Sequence, residues 1–237
     1  MMFVKIGSKF DRGIGFDSMR MRNKPWAAPE LDACAFFVRD AAQHMGKWHE
    51  FFKRQQPIYL ELGCGKGLFI AGLAPKNPQI NYIGIDLKDA VLAPAKRNIE
   101  QAFQSEGREP DNVVLLAQDI ERILNVMNAS DIVERIYINF CNPWPKDKHN
   151  KRRLTHPRQL EHYKQLLARD GEIYFKTDDD LLFADTLDYL NESGFEVISK
   201  TYDLHGENCP DNVMTEHEKM FLQKGIKIKA LVARLKK

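Results

Sequence analysis

Metal-ligand spacing is missing from this chain. Its four cysteines, Cys34, Cys64, Cys141 and Cys209, form no C-x-x-C pair, and its seven histidines follow no ligand-like pattern. Neither a zinc site nor a disulfide framework is expected, and reduced thiols in a cytosolic (cytoplasmic) setting are the default. Long apolar runs are missing too. No stretch approaches the ~20 residues of a membrane helix. Lys5, Lys9 and Arg12 lead into no apolar segment of a secretory signal. Nor is there an excess of one charge: 35 Lys and Arg stand against 33 Asp and Glu, a net of +2. The molecule is no polycation, so attraction for a polyanion has to come from a local patch. G-x-S-x-G and G-x-x-x-x-G-K-[ST] are both absent, which removes the hydrolase elbow and the P-loop.

What is present reads as alternating strand and helix. At 237 residues the chain buries a full core without covalent staples. Residues 1–28 are polar and aperiodic and are expected as an N-terminal extension; 29–237 are expected as one domain. Strands are predicted over 58–62, 81–86, 112–117, 135–140 and 172–176, with helices over 68–73, 88–105 (despite Pro94), 120–127, 156–168 and 181–192. Two further strands, 195–202 and 226–235, have no long helix between them, so one is expected to run antiparallel. The expected architecture is an α/β, Rossmann-like fold: a seven-stranded, mostly parallel sheet with helices on both faces.

The first predicted strand runs into Glu61-Leu62-Gly63-Cys64-Gly65-Lys66-Gly67. Glycines permit positive φ and let a ligand come close to the backbone. The spacing is G-x-G-x-G, not the G-x-G-x-x-G of dinucleotide sites, which favours a ligand without a pyrophosphate. Asp86 closes the second strand and can accept both hydroxyls of a ribose. Asp119 follows the third and can accept an adenine amino group. Such acids also occur at strand ends for no special reason, but three in register with a glycine turn point to a cofactor.

After the fourth strand comes Phe140-Cys141-Asn142-Pro143-Trp144-Pro145-Lys146. Two prolines cannot donate to a sheet and restrict the residues before them, so a stiff loop presents Asn142 and Trp144 at the carboxyl edge, where open α/β sheets bind ligands. Trp144 suits either base stacking or packing of the loop. Lys146 to Arg158 then carries six Lys or Arg against Asp147 alone; Lys148, Lys151, Arg152 and Arg153 are candidates for phosphate contact. Arg20, Arg22, Lys24, Lys236 and Lys237 could extend that patch. Cys141 reads as a small packing residue, since no activating histidine is evident.

Glu61–Gly67, Asp86 and Asp119 resemble the S-adenosylmethionine site of class I methyltransferases, which implies that Glu61, Gly63, Gly65, Gly67, Asp86, Asp119 and Asn142 hold that cofactor. Asn142–Pro145 also resembles the Asn-Pro-Pro-aromatic loop of amino-group methyltransferases, with the aromatic and second proline exchanged. The longer stretch Ile138–Lys146 with Lys148–Thr155 resembles bacterial tRNA (guanine-N7)-methyltransferases, as do Met21–Trp26, Phe175-Lys176-Thr177-Asp178 and Thr215-Glu216-His217-Glu218. That resemblance implies methyl transfer to N7 of a tRNA guanosine, in the variable loop. It makes Asn142 the catalytic position and Lys146, Asp178, Thr215 and Glu218 the substrate-binding ones. The family usually has Asp-Pro-Trp-Pro where this chain has Asn142. Without the resemblance, Asp178 and Thr215–Glu218 would read as helix starts. An adenine N6-methyltransferase and a silent tRNA-binding homologue are the alternatives. No metal and no membrane are expected as partners, and the oligomeric state stays open between monomer and homodimer.

Overall fold

A computed structural model describes residues 24–207 and 212–237. The expected extension therefore lies, for residues 1–23, outside the described residues, as do Arg20, Arg22 and Cys209. Eight strands form one sheet: β1 (Phe37–Val38), β2 (Ile58–Leu62), β3 (Asn81–Asp86), β4 (Val113–Ala117), β5 (Val133–Asn139), β6 (Leu167–Thr177), β7 (Phe195–Thr201) and β8 (Lys229–Leu235). Their order is β1-β4-β3-β2-β5-β6-β8-β7. The first six are mutually parallel, and β8 runs antiparallel to both β6 and β7. The expected reversal near the C-terminus is present. The count is eight rather than seven because two-residue β1 adds itself parallel to β4 at the edge.

The helices are α1 (Ala27–Asp32), α2 (Trp48–Phe51), α3 (Leu68–Leu73), α4 (Asp89–Ser105), α5 (Pro157–Leu166), α6 (Asp180–Glu192) and α7 (Glu216–Gln223). One core joins Leu31, Ile70, Leu92, Ile99 and Phe103 to β3 and β4. Another joins Trp48, Leu160, Tyr163, Leu182 and Phe183 to strands from β2 to β8 on the opposite face. Of the helix predicted over 120–127, residues 120–125 form a 3₁₀ turn with a kink at Arg122.

Pro94 sits inside α4 and cannot donate to the carbonyl of Ala90. Lys24 Nζ donates to that carbonyl at 3.2 Å instead. The helix thus tolerates its proline because a side chain from ahead of α1 supplies the lost donor. Glu30 of α1 also holds Arg97 of α4 at 2.5 Å, so the two helices are joined as well as packed.

Candidate active site

The carboxyl ends of β2, β3, β4, β5 and β6 lie along one edge of the sheet, and the turns that leave them carry the polar residues. After β2, the N–H groups of Gly63 and Cys64 both donate to Ile85 O at 2.9 Å, which pins the glycine turn to β3. Gly63, Gly65 and Gly67 all have positive φ, at 79°, 54° and 68°. Their purposes differ. A Cβ on Gly67 would lie 2.9 Å from Ala95 Cβ, so that glycine lets α4 approach. A Cβ on Gly65 would meet nothing within 4 Å. That space stands open beside Asp86, and a ligand could enter where a side chain would otherwise be.

Asp86 Oδ2 accepts the N–H of Gly65 at 3.1 Å and Oδ1 that of Leu87 at 2.7 Å. Burial raises this carboxyl above its ordinary range, against the pull of those backbone donors. A carboxylate accepts roughly four hydrogen bonds, so capacity remains for hydroxyls. Asp119 is half-buried and caps the 3₁₀ turn by accepting from Glu121 N–H at 3.0 Å.

Glu61 is 4 % exposed, and its Oε1 accepts from Asn139 Nδ2 across β2 and β5 at 3.1 Å. Its Oε2 and the Asn139 Oδ1 are both buried without a partner. Desolvation pushes the Glu61 carboxyl up to about 8. Buried polar atoms without partners each cost about 1–3 kcal/mol, and these two belong to side chains joined by one hydrogen bond, at the strand end that leads into the glycine turn. A ligand with a cationic, many-donor group, such as an ammonium, would satisfy both.

Beyond Asn139 the backbone is strained. Phe140 and Trp144 have φ of 53° and 44°. Bulky side chains in that region cost about 1–3 kcal/mol each and persist only where the surroundings hold them. Phe140 donates its N–H to Lys176 O at 2.9 Å and stacks on His217, centroids 5.8 Å apart. Asn142 is exposed and its Oδ1 accepts the N–H of Trp144 at 3.1 Å. Trp144 is half-buried, tilted on His149 at 5.6 Å and covered by the Arg152 guanidinium at 5.1 Å. It is a loop residue, not a core one. Burial pushes the Cys141 thiol up, away from a nucleophile's range.

Asp178 is half-buried past the end of β6, and burial raises its carboxyl. It is not the helix cap: Asp179 caps α6 by accepting from Leu182 N–H at 2.7 Å. Thr215 and Glu218, expected to touch substrate, form a reciprocal capping box at the start of α7. Thr215 Oγ1 accepts the Glu218 N–H at 3.1 Å, and Glu218 Oε2 accepts the Thr215 N–H at 3.2 Å. The Glu218 side chain is fully buried and also meets Lys176 and His205, both at 3.3 Å, and Asn212.

The basic run splits. Lys146, Lys148, Lys151 and Arg152 are exposed on and beside a 3₁₀ turn, Asp147–Arg152. Arg153 is 2 % exposed and faces inward, so it is not a phosphate contact. Its Nε donates to Pro143 O at 2.7 Å and its Nη1 to Asp185 and to the Tyr189 hydroxyl.

Comparison with known proteins adds the family. Residues 55–231 match the family model described as "Putative methyltransferase". The tRNA (guanine-N(7)-)-methyltransferase of Clostridium beijerinckii is 61% identical over 215 residues, covering 91% of this chain and 98% of the relative. That of Clostridium perfringens (strain SM101) is 56% identical, covering 91% and 99%. The chain belongs to the tRNA (guanine-N7)-methyltransferase family. At the level of fold, a solved antibiotic-related methyltransferase superposes with a TM-score of 0.53 over 82% of this chain and 89% of that one, at 17% identity.

Within that family frame, two residues of the site escaped the sequence reading. Asn139 follows the buried stretch Ile136–Ile138 of its strand, and only the cross-strand partner Glu61 gives its amide a purpose. Lys176, in β6, contacts Asn212, Val213 and Glu218 and lies 5.9 Å from the Phe69 ring centre. Among the described residues, no group of His, Cys, Asp or Glu could hold a metal, and no helix is long and apolar enough to cross a membrane.

Proposed function

We propose that this chain transfers the methyl group of S-adenosylmethionine to N7 of a guanosine in the variable loop of tRNA, acting in the cytosol. The observation that carries the reading is the convergence, on one sheet edge, of the Glu61–Asn139 acceptors, the open Gly65 turn, Asp86 and the Asn142–Trp144 loop. The acceptor base follows the names of the relatives, which match nearly end to end.

The residues fit the cofactor. Glu61 and Asn139 suit an amino-acid ammonium, Gly65 leaves room at the backbone, Asp86 suits ribose hydroxyls, and Asp119 an adenine amine. When bound, S-adenosylmethionine supplies an electrophilic methyl carbon on a cationic sulfonium. Guanine N7 has a lone pair and no proton, so no general base is required. N7 and O6 are acceptors, and a donor on N7 would block the reacting lone pair. Holding the Watson–Crick edge instead calls for acceptors toward N1–H and the 2-amino group. Asp178 is suitably half-buried for that, with Lys146 nearby in sequence to the transfer loop. The target base has to leave its stack to reach the edge, and alignment of the reactants is then the main source of rate. Lys148, Lys151 and Arg152 would hold phosphates and fix register without reading sequence.

Incubating the protein with unmodified tRNA and labelled S-adenosylmethionine, then analysing nucleosides by mass spectrometry, tests the reading. 7-Methylguanosine is expected. N6-methyladenosine would favour the amino-group chemistry of an Asn-Pro loop, and tRNA retention without label would mark a silent homologue.

Asn142→Asp is expected to keep the rate within about tenfold of the parent, or ~1.4 kcal/mol. Asp can accept the Trp144 N–H as Asn does. Positive charge moves from sulfur to the purine without net change, so an added carboxylate stabilises both ends of the reaction. Single-turnover rates check this; a loss above a hundredfold would mean the position needs the neutral amide.

A further inference from the structure

Arg153 joins three parts of the site that the sequence keeps apart. Its Nε grips the carbonyl of Pro143, between exposed Asn142 and half-buried Trp144. Its Nη1 grips Asp185 and Tyr189, both on α6. Its own N–H closes the cationic turn by donating to Asn150 O at 3.0 Å. Helix α6 starts immediately after Asp178 and Asp179. One buried guanidinium therefore connects the transfer loop of β5 to the helix whose head carries the base-edge acid of β6. The loop so gripped holds Trp144, and follows Phe140, in backbone conformations that such residues seldom adopt. Left-handed bulky residues revert to ordinary ones unless something outside them prevents it.

We propose that Arg153 is a positioning residue: its buried guanidinium locks Pro143 to α6 and so fixes Asn142 and Trp144 relative to Asp178. Planar, many-donor geometry is what the task needs, since one side chain serves a carbonyl, a carboxylate and a phenol at once. A lysine at this place could not reach all three in fixed directions. The inference rests on the reading of Asn142–Trp144 as the transfer loop, but the order of that loop can be measured without any turnover.

The chain carries three tryptophans, of which Trp48 is fully buried and Trp26 is 41% exposed. In a Trp26→Phe background, acrylamide quenching therefore reports mainly on Trp144. Asp185→Asn removes the charge that holds Arg153 and lies at a third-exposed position; Tyr189→Phe removes only a hydroxyl and guards against a variant that fails to fold. Both are expected to raise Trp144 quenching, by about twofold for Asp185→Asn. They are expected to lower kcat by about ten- to a hundredfold while KM for tRNA and Kd for S-adenosylmethionine stay within threefold. Asp185→Glu should recover part of both effects. The salt dependence of tRNA affinity should keep its slope in these variants, whereas Arg152→Ala should reduce it by about one. Unchanged quenching would overturn the clamp whether or not tRNA is the substrate. A slope that falls in Asp185→Asn as it does in Arg152→Ala would overturn it too, by making Arg153 a phosphate contact.

Discussion

Glu61→Gln is expected to make the ligand-free protein more heat-resistant at pH 8 while weakening S-adenosylmethionine binding by about a hundredfold, or ~2.7 kcal/mol. The two effects have one origin. Glu61 is buried at the end of β2, and desolvation lifts its carboxyl from 4.5 to about 8. Asn139 and Lys176 favour the ionised form, Asp86 opposes it, and the Cys64 thiol beside it is itself pushed up by burial. Between pH 4.5 and about 8 the folded state binds more protons than the unfolded one, so stability falls as pH rises across that window. Glutamine carries no proton to lose, and the variant should show a flatter melting profile between pH 5 and 8. A gain of 1 kcal/mol at pH 8 moves the midpoint by about 2–4 °C in a chain of this size. A bound ammonium reverses the preference, because an opposite charge at contact favours the ionised carboxylate. Cofactor binding near pH 7 should then release close to one proton from the parent and almost none from Glu61→Gln. Calorimetry in buffers of differing ionisation enthalpy measures that number directly. A parent that releases no proton would remove Glu61 from the ammonium subsite, whatever the variant does to activity.

Asp86→Ala should cost at least a hundredfold in cofactor affinity and leave tRNA affinity within threefold. Alanine removes the proposed ribose acceptor, and it also frees the N–H groups of Gly65 and Leu87, held at 3.1 and 2.7 Å. The glycine turn would lose the contact that fixes its open position. Asp86→Asn keeps one acceptor oxygen and should fall between the two. Titration calorimetry for the cofactor and filter binding for tRNA separate the outcomes; equal losses in both would argue for a general disturbance of β3 rather than a ribose site.

Some elements were legible to the residue. Strand 58–62 and helix 68–73 lie between Pro57 and Pro75 with the glycine turn Gly63–Gly67 separating them, and strand 81–86 ends in Asp86, so prolines, glycines and a charge interrupt the apolar pattern where each element stops. The predicted strand 172–176 was too short. Strand β6 begins at Leu167, because Val133 pairs with Leu167 before a register shift resumes the ladder at Arg135 and Glu172. No local pattern announces such a bulge. The two residues of β1 carry no periodicity at all. Helix α7 had a visible signal, a Thr-x-x-Glu capping box, which the family motif had claimed for substrate binding. Arg153 shows the deepest limit. Within a run of cations, nothing in the neighbouring residues distinguishes the arginine turned inward from the one over Trp144; that depends on Asp185 and Tyr189, more than thirty positions away.

Lys24 and Pro94 form a unit whose halves make sense only together. A helix interrupted by an imino acid needs a foreign donor, and here the donor arrives from the chain ahead of the first helix. The repaired turn follows directly on Leu87 and Lys88, whose amides meet Asp86. Positions 24 and 94 are therefore expected to change in concert: a lineage that relaxes the proline can discard the basic residue, and one that keeps it cannot.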